Sequence, residues 1–140
     1  ISYKKKFLNN ISFGQILLKP TVIYVKPILK ILKKFDIKAI SHITGGGIAE
    51  NLKRVLPIHS GANIFINKLD FCKKDSIYNW LNIKCKLKKS EMLKTFNCGI
   101  GMILVISQKD VLKFSDYCKK INQEVKIIGK INSTGKIKFN

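Results

Sequence analysis

Residues 41–51 read SHITGGGIAEN, and the fold turns on how this stretch is understood. The apolar run IKAISHIT (37–44) leads into three glycines. IAENLKRVL follows with helical spacing and ends at Pro57. A strand, a glycine turn and a helix start form an anion-binding geometry, because the first N–H groups of a helix have no partner and the macrodipole favours negative charge. Successive glycines let those N–H groups form a concave nest. The same residues also suit an ordinary tight turn. The spacing matches neither G-x-G-x-x-G nor G-x-x-x-x-G-K-[ST]. Around Gly45, Gly46 and Gly47, Thr44 offers a hydroxyl, and His42, alternating with Ile43, points into a cleft or into the core. Glu50 and Asn51 stand in the first helical turn, placed to orient a substrate or coordinate magnesium. A first-turn Glu also complements the helix dipole without any ligand.

Outward from this junction, strands and helices alternate. Pro27 can open a helix, since its absent N–H would be unpaired there. Ile28, Leu29, Ile31, Leu32 and Phe35 then fall largely on one face, with lysines opposite. ANIFIN (62–67) reads as a strand. Asp75 or Ser76 caps a helix through IYNWLNI, and Ser90 opens the short helix SEMLKTF. CGIGMILVIS (98–107) reads as an apolar strand. QKDVLKFSDYCKKI (108–121) reads as a helix with Val111, Leu112, Phe114, Ser115 and Cys118 on or beside one face. VKIIGKIN and KIKF close the chain as a hairpin-like pair. The expected class is α/β or α+β, a layered mixed β-sheet flanked by helices.

Two further stretches could carry chemistry. In TFNCGIGM (95–102), Asn97 offers an amide suited to a base or a ribosyl hydroxyl. Gly99 and Gly101, alternating along a strand, would clear room for a flat ligand or for a closely packed helix. In KPTVIYVKP (19–27), Tyr24 and Lys26 share a face, and Lys26 meets either a phosphate or solvent. No paired carboxylates, nucleophile elbow or H-E-x-x-H motif appears.

The chain has 140 residues, 46% of them hydrophobic, and a net charge of +19. It is long enough for one domain with a real core, and no run approaches bilayer length. Of the 27 basic residues only Arg54 is arginine. Base readout favours arginine, and the lysines are scattered without interleaved aromatics. The charge therefore reads as composition rather than as a nucleic-acid surface. The four cysteines (72, 85, 98 and 118) lack C-x-x-C spacing and read as thiols in a reducing cytosol.

Three strings in order, LLKPTVIYVKPIL (17–29), HITGGGIAENLKRVLP (42–57) and EMLKTFNCGIGM (91–102), resemble the C-terminal domain of phosphoribosylformylglycinamidine cyclo-ligase, also called aminoimidazole ribonucleotide synthetase. The tail KIIGKI (126–131) matches too, so the resemblance covers roughly residues 14–140. It implies ATP-dependent ring closure of formylglycinamidine ribonucleotide to aminoimidazole ribonucleotide. It implies ATP and Mg2+ as cofactors, held mostly by an N-terminal domain, a homodimer when complete, and a cytoplasmic location. Residues 17–140 would be the C-terminal synthetase domain and 1–16 a remnant of the interdomain segment. The chain starts at Ile1 rather than Met and so reads as a piece of something longer, and without the N-terminal domain that the resemblance implies it reads as inactive alone. The substrate or its phosphate would meet Thr44, Gly45, Gly46, Gly47, Glu50, Asn51 and Lys26. His42 would be catalytic, and Asn97, Gly99 and Gly101 would line the nucleotide or substrate cleft; no metal ligand is assigned to this chain. The pattern departs at Val22, where the family usually carries Arg, and at Ala49, which replaces a bulkier residue. The alternatives are another member of the same ATP-using superfamily and a basic, non-catalytic binding module.

Overall fold

A computed structural model describes residues 2–8 and 11–140. The chain is α+β, with six α-helices and three small sheets among the described residues. Strands β1 (Lys6–Leu8) and β2 (Ile11–Ser12) pair and lead into the short helix α1 (Phe13–Leu17). A reciprocal cap starts α1: Gln15 N–H donates to Ser12 Oγ, and Ser12 N–H donates to the Gln15 side chain at 2.8 Å. Phe13 then packs on Trp80, with ring centroids 4.6 Å apart.

Helix α2 (Val25–Leu32) begins two residues before Pro27. Proline is tolerated there because first-turn N–H groups have no helical partner. The expected single apolar face divides. Ile31 and Phe35 pack on helix α6 (Val111–Lys120) through Phe114 and Cys118, whereas Leu29 and Leu32 are exposed. On α6, Phe114 and Cys118 are buried but Leu112 is not, since Leu112 lies about 200° round from Phe114 at 100° per residue.

Strands β3 (Ala39–His42) and β5 (Met102–Val105) pair antiparallel, His42 opposite Met102 and Ala39 opposite Val105. This ribbon separates two cores. Ile103 and Val105 face one, with Ile43, Ile48, Leu52 and Met92; Leu104 and Ile106 face the other, with Ile31 and Phe114. A ribbon buried on both faces explains the unbroken apolar run in the sequence. Residues 98–101 are not part of the strand; they form the turn before it.

Helix α3 (Gly47–Val55) follows β3, and strand β4 (Gly61–Ile64) follows α3. β4 is shorter than ANIFIN, because the chain tightens into a 3-10 turn at Ile66–Lys68. Helix α4 (Ile77–Lys84) is capped by Ser76, whose side chain accepts from Tyr78 N–H, as expected. Helix α5 (Lys89–Thr95) starts one residue before Ser90, where Lys88 N–H donates to the Glu91 carboxylate at 2.8 Å. Strands β6 (Gly129–Asn132) and β7 (Ile137–Phe139) do not pair with each other as the sequence suggested. β4 lies between them, antiparallel to β6 and parallel to β7. The three form the mixed sheet, and its centre, Ala62 and Ile64, is buried.

Lys53 ties this sheet to α3. Its ammonium donates to the carbonyls of Ile58, Ser60 and Gly135 at 2.9, 3.1 and 2.9 Å. Three acceptors satisfy its three hydrogens, so this lysine is structural.

Candidate functional site

The glycine turn leaves β3 after His42. Ile43 N–H still donates to Gly101 O at 2.9 Å, extending the ladder by one residue. Gly47 N–H then donates to Thr44 O at 3.2 Å, closing the turn. Gly46 and Gly47 have φ of +91° and +62°, a region that side chains rarely enter. A Cβ on Gly47 would also strike the Leu93 carbonyl of α5. The fold alone therefore demands glycine at 47. Gly45 is different. Its φ is not in the left-handed region, and nothing lies within 4 Å of where its Cβ would be.

The turn is held from inside by Asn51, only 6% exposed. Its Nδ2 donates to Gly47 O at 2.8 Å and Gly45 O at 3.0 Å, with Thr44 O at 3.4 Å. The carbonyls are thus committed to the protein. Among the described residues, the N–H groups of Gly45 and Gly46 donate to no protein acceptor, and no side chain caps α3. Glu50 pairs with Arg54 one turn on, and its carboxylate stands over Gly46.

The second turn, residues 97–100, lies alongside. Ile100 N–H donates to Asn97 O at 2.9 Å, and both central residues have positive φ, Cys98 at 50° and Gly99 at 87°. This is the pattern of a primed turn. Gly99 is glycine for a second reason, since the Asp70 carboxylate occupies the space a side chain would need. Asp70 is itself fixed: its N–H donates to Cys98 O at 2.8 Å, and Lys73 and Lys126 pair with its carboxylate at 2.8 and 3.5 Å. The Cys98 thiol is fully buried, and burial pushes its pKa up to about 12. Such a thiol is an inert packing group rather than a nucleophile.

Asn97 is gripped by its oxygen. The Tyr78 hydroxyl donates to Oδ1 at 2.6 Å, and Gly99 N–H donates to the same atom at 3.1 Å. Two donors on one amide atom identify it as the oxygen. Nδ2 has no protein acceptor among the described residues, so this amide offers its hydrogens outward. Burial raises the Tyr78 pKa and keeps the hydroxyl a donor.

His42 is exposed at the end of β3, its ring edge-on to Tyr24 with centroids 6.1 Å apart. The Tyr24 hydroxyl also covers Gly101, filling the space its Cβ would take. The structure thus gathers His42, Thr44, the glycines 45–47, Asn97, Gly99 and Gly101 at one end of the β3–β5 ribbon. Lys26 is not joined to them by any hydrogen bond. It lies in the first turn of α2, and two residues on a helix are about 200° apart, so it does not share a face with Tyr24. The sequence pointed to neither Tyr78 nor Asp70 as a support of this site. Each acts across a sequence gap that local patterns do not span. Among the described residues no three His, Cys, Asp or Glu side chains cluster as a metal site. No helix of the described residues is long and apolar enough to cross a membrane.

These features define a small α+β domain that carries an uncapped glycine turn at a helix start beside an asparagine-bearing turn. The chain belongs to the family described as AIR synthase related protein, C-terminal domain, whose model matches residues 3–140. It is 40% identical over 120 residues to the phosphoribosylformylglycinamidine cyclo-ligase of Nitrosococcus oceani, covering 86% of this chain and 33% of that protein. It is 36% identical over 129 residues to the protein of the same name from Fusobacterium nucleatum subsp. nucleatum, covering 92% of this chain and 37% of that one. The chain therefore spans about a third of the length of these curated relatives.

Proposed function

We propose that this domain forms one wall of the site of a cytoplasmic cyclo-ligase that closes the imidazole ring of aminoimidazole ribonucleotide. In that reaction ATP phosphorylates the formyl-derived amide oxygen of formylglycinamidine ribonucleotide. An internal nitrogen then attacks that carbon and phosphate leaves, giving aminoimidazole ribonucleotide, ADP and phosphate. The observation that carries the reading is Gly45. Neither backbone conformation nor packing requires glycine there, yet it sits where two N–H groups lack acceptors. A phosphate of the substrate or nucleotide approaching the main chain accounts for both facts.

The other residues take roles that follow from their surroundings. Asn97 donates through Nδ2 to an acceptor on the substrate. Thr44 adds a hydroxyl beside the nest, and His42 presents its imidazole at the same end of the ribbon. Lys26, exposed in the first turn of α2, adds positive charge to the domain surface. ATP and Mg2+ supply the phosphoryl group and the neutralisation of its charge. Mg2+ on a nucleotide commonly needs only one or two carboxylates besides phosphate oxygens. Glu50, over Gly46 and paired with Arg54, would be one such carboxylate, and the remaining ligands would come from the N-terminal portion of the enzyme. Catalysis by the assembled homodimer then rests on positioning and charge stabilisation.

The test is complementation. This chain, co-expressed with the N-terminal portion of a cyclo-ligase, restores growth of a purine-requiring strain that lacks this ring closure. A stable, folded pair that gives no growth contradicts the reading.

A further inference from the structure

The turn that presents Asn97 is held from two sides by one segment, residues 70–78. At its start, Asp70 N–H donates to Cys98 O at 2.8 Å, and the Asp70 carboxylate stands against Gly99. At its end, Ser76 starts α4, and its Oγ accepts from Tyr78 N–H at 3.1 Å. The Tyr78 ring then packs on Phe96, the neighbour of Asn97, with centroids 6.2 Å apart. This packing brings the Tyr78 hydroxyl to Asn97 Oδ1 at 2.6 Å. An amide side chain has an acceptor end and a donor end of nearly the same shape. A free amide turns over and serves either kind of ligand group. Here Gly99 N–H, at 3.1 Å, fixes which end is the oxygen. Turning the amide over would set its own hydrogens against that N–H. The Tyr78 hydroxyl, on the shorter bond, holds the amide plane in place. Asn97 is half-buried, so only its Nδ2 hydrogens are left for a ligand.

We propose that Tyr78 is a positioning residue of the ring-closing site, locking the Asn97 amide so that the turn takes a hydrogen-bond acceptor of the ligand and rejects a donor. This rests on the proposed function for the reaction in which the ligand takes part. It adds a residue and a selection rule to that reading. A buried or clamped polar group rejects a mismatched partner more strongly than a mobile one, because it cannot turn to satisfy it.

The experiment pairs this chain with the N-terminal portion of the Nitrosococcus oceani enzyme and measures KM for formylglycinamidine ribonucleotide and for ATP separately. Asn97→Asp keeps an oxygen for both donors, so the domain melts as before, but it turns an oxygen towards the ligand. One of the two KM values rises about tenfold or more, with kcat unchanged because a uniform binding contact is lost. The KM that moves identifies the ligand carrying the acceptor. Tyr78→Phe keeps the ring on Phe96 and removes only the hydroxyl. It raises the same KM about threefold. Combined with Asn97→Ala it adds nothing to Asn97→Ala alone, since Tyr78 acts through Asn97. The proposal is overturned if Asn97→Asp leaves both KM values unchanged, or if Tyr78→Phe does so while Asn97→Ala raises one. It is also overturned if the Tyr78→Phe and Asn97→Ala effects multiply, which would make Tyr78 merely structural. A pair that does not close the ring contradicts the proposed function instead. The positioning is then read by NMR on this chain alone: Tyr78→Phe shifts the Asn97 side-chain amide signals and leaves those of Asn51 in place, and unmoved Asn97 signals overturn it.

Discussion

Two asparagines hold two neighbouring turns, and they do so with opposite ends of the same side chain. Asn51 spends its amide hydrogens on the carbonyls of the glycine turn and is buried in doing so. Asn97 spends its oxygen on Tyr78 and Gly99 and keeps its hydrogens for whatever approaches. From sequence the two look equivalent, each a polar residue beside glycines. In the folded chain Asn51 is a structural part of the nest, and Asn97 is a group that the fold presents. The glycines divide in the same way. Gly47 serves the fold, and Gly45 has no duty in it.

The comparison can be broken by substitution. The largest expected effect is at Gly47. Gly47→Ala combines left-handed strain with a collision against the Leu93 carbonyl and destabilises by about 3 kcal/mol, read from the urea midpoint. Asn51→Ala comes next. It leaves the Gly45 and Gly47 carbonyls without their donor and costs about 2 kcal/mol. Asn97→Ala costs only about 0.5–1 kcal/mol, because Tyr78 is half-buried. In the assembled enzyme, however, the order reverses for substrate binding, with Asn97→Ala raising KM while a refolded Asn51→Ala domain binds near normally once formed. Equal stability losses at 51 and 97 would erase the distinction.

The buried thiol gives a pH test of the same region. Cys98 keeps its proton up to about pH 12, against an ordinary value of 9.0, because burial penalises the thiolate. Desolvation raises Tyr78 likewise. The unfolded chain releases these protons earlier, so the contribution of these two groups to stability is constant below about pH 9 and is lost as pH rises from there towards 12. Denaturant midpoints across that range check this, and Cys98→Ala makes the fall shallower. At pH 8 a thiol reagent modifies the exposed Cys72 and Cys85 in the folded chain and reaches Cys98 and Cys118 only on unfolding.

What the sequence revealed followed from local rules. The helix after the glycines, the stop at Pro57 and the Ser76 cap each depend on neighbours within a few residues, and all are present. The family strings carried the domain identity. What it concealed depended on distant segments. β6 and β7 look like a hairpin because nothing near them announces that β4 will enter between them. Gly99 looks like a strand glycine because Asp70, which crowds it, is far back in the chain. The division of α2 into two stripes is invisible while every apolar residue is assumed to seek the same core. The glycine turn itself was legible as a nest or a turn; the placement of Asn51 and the open space at Gly45, on which the proposed nest rests, were not legible.

Gly45→Ala tests the account most directly. A methyl group there meets nothing in the domain, so thermal melting of this chain stays the same or rises slightly, by up to about 1 kcal/mol of stability. In the enzyme assembled with its N-terminal portion, ring closure falls at least tenfold, because the methyl stands where a phosphate approaches the backbone. Full activity with Gly45→Ala, in a pair shown to be assembled, would contradict the claim and leave the three glycines as a turn alone.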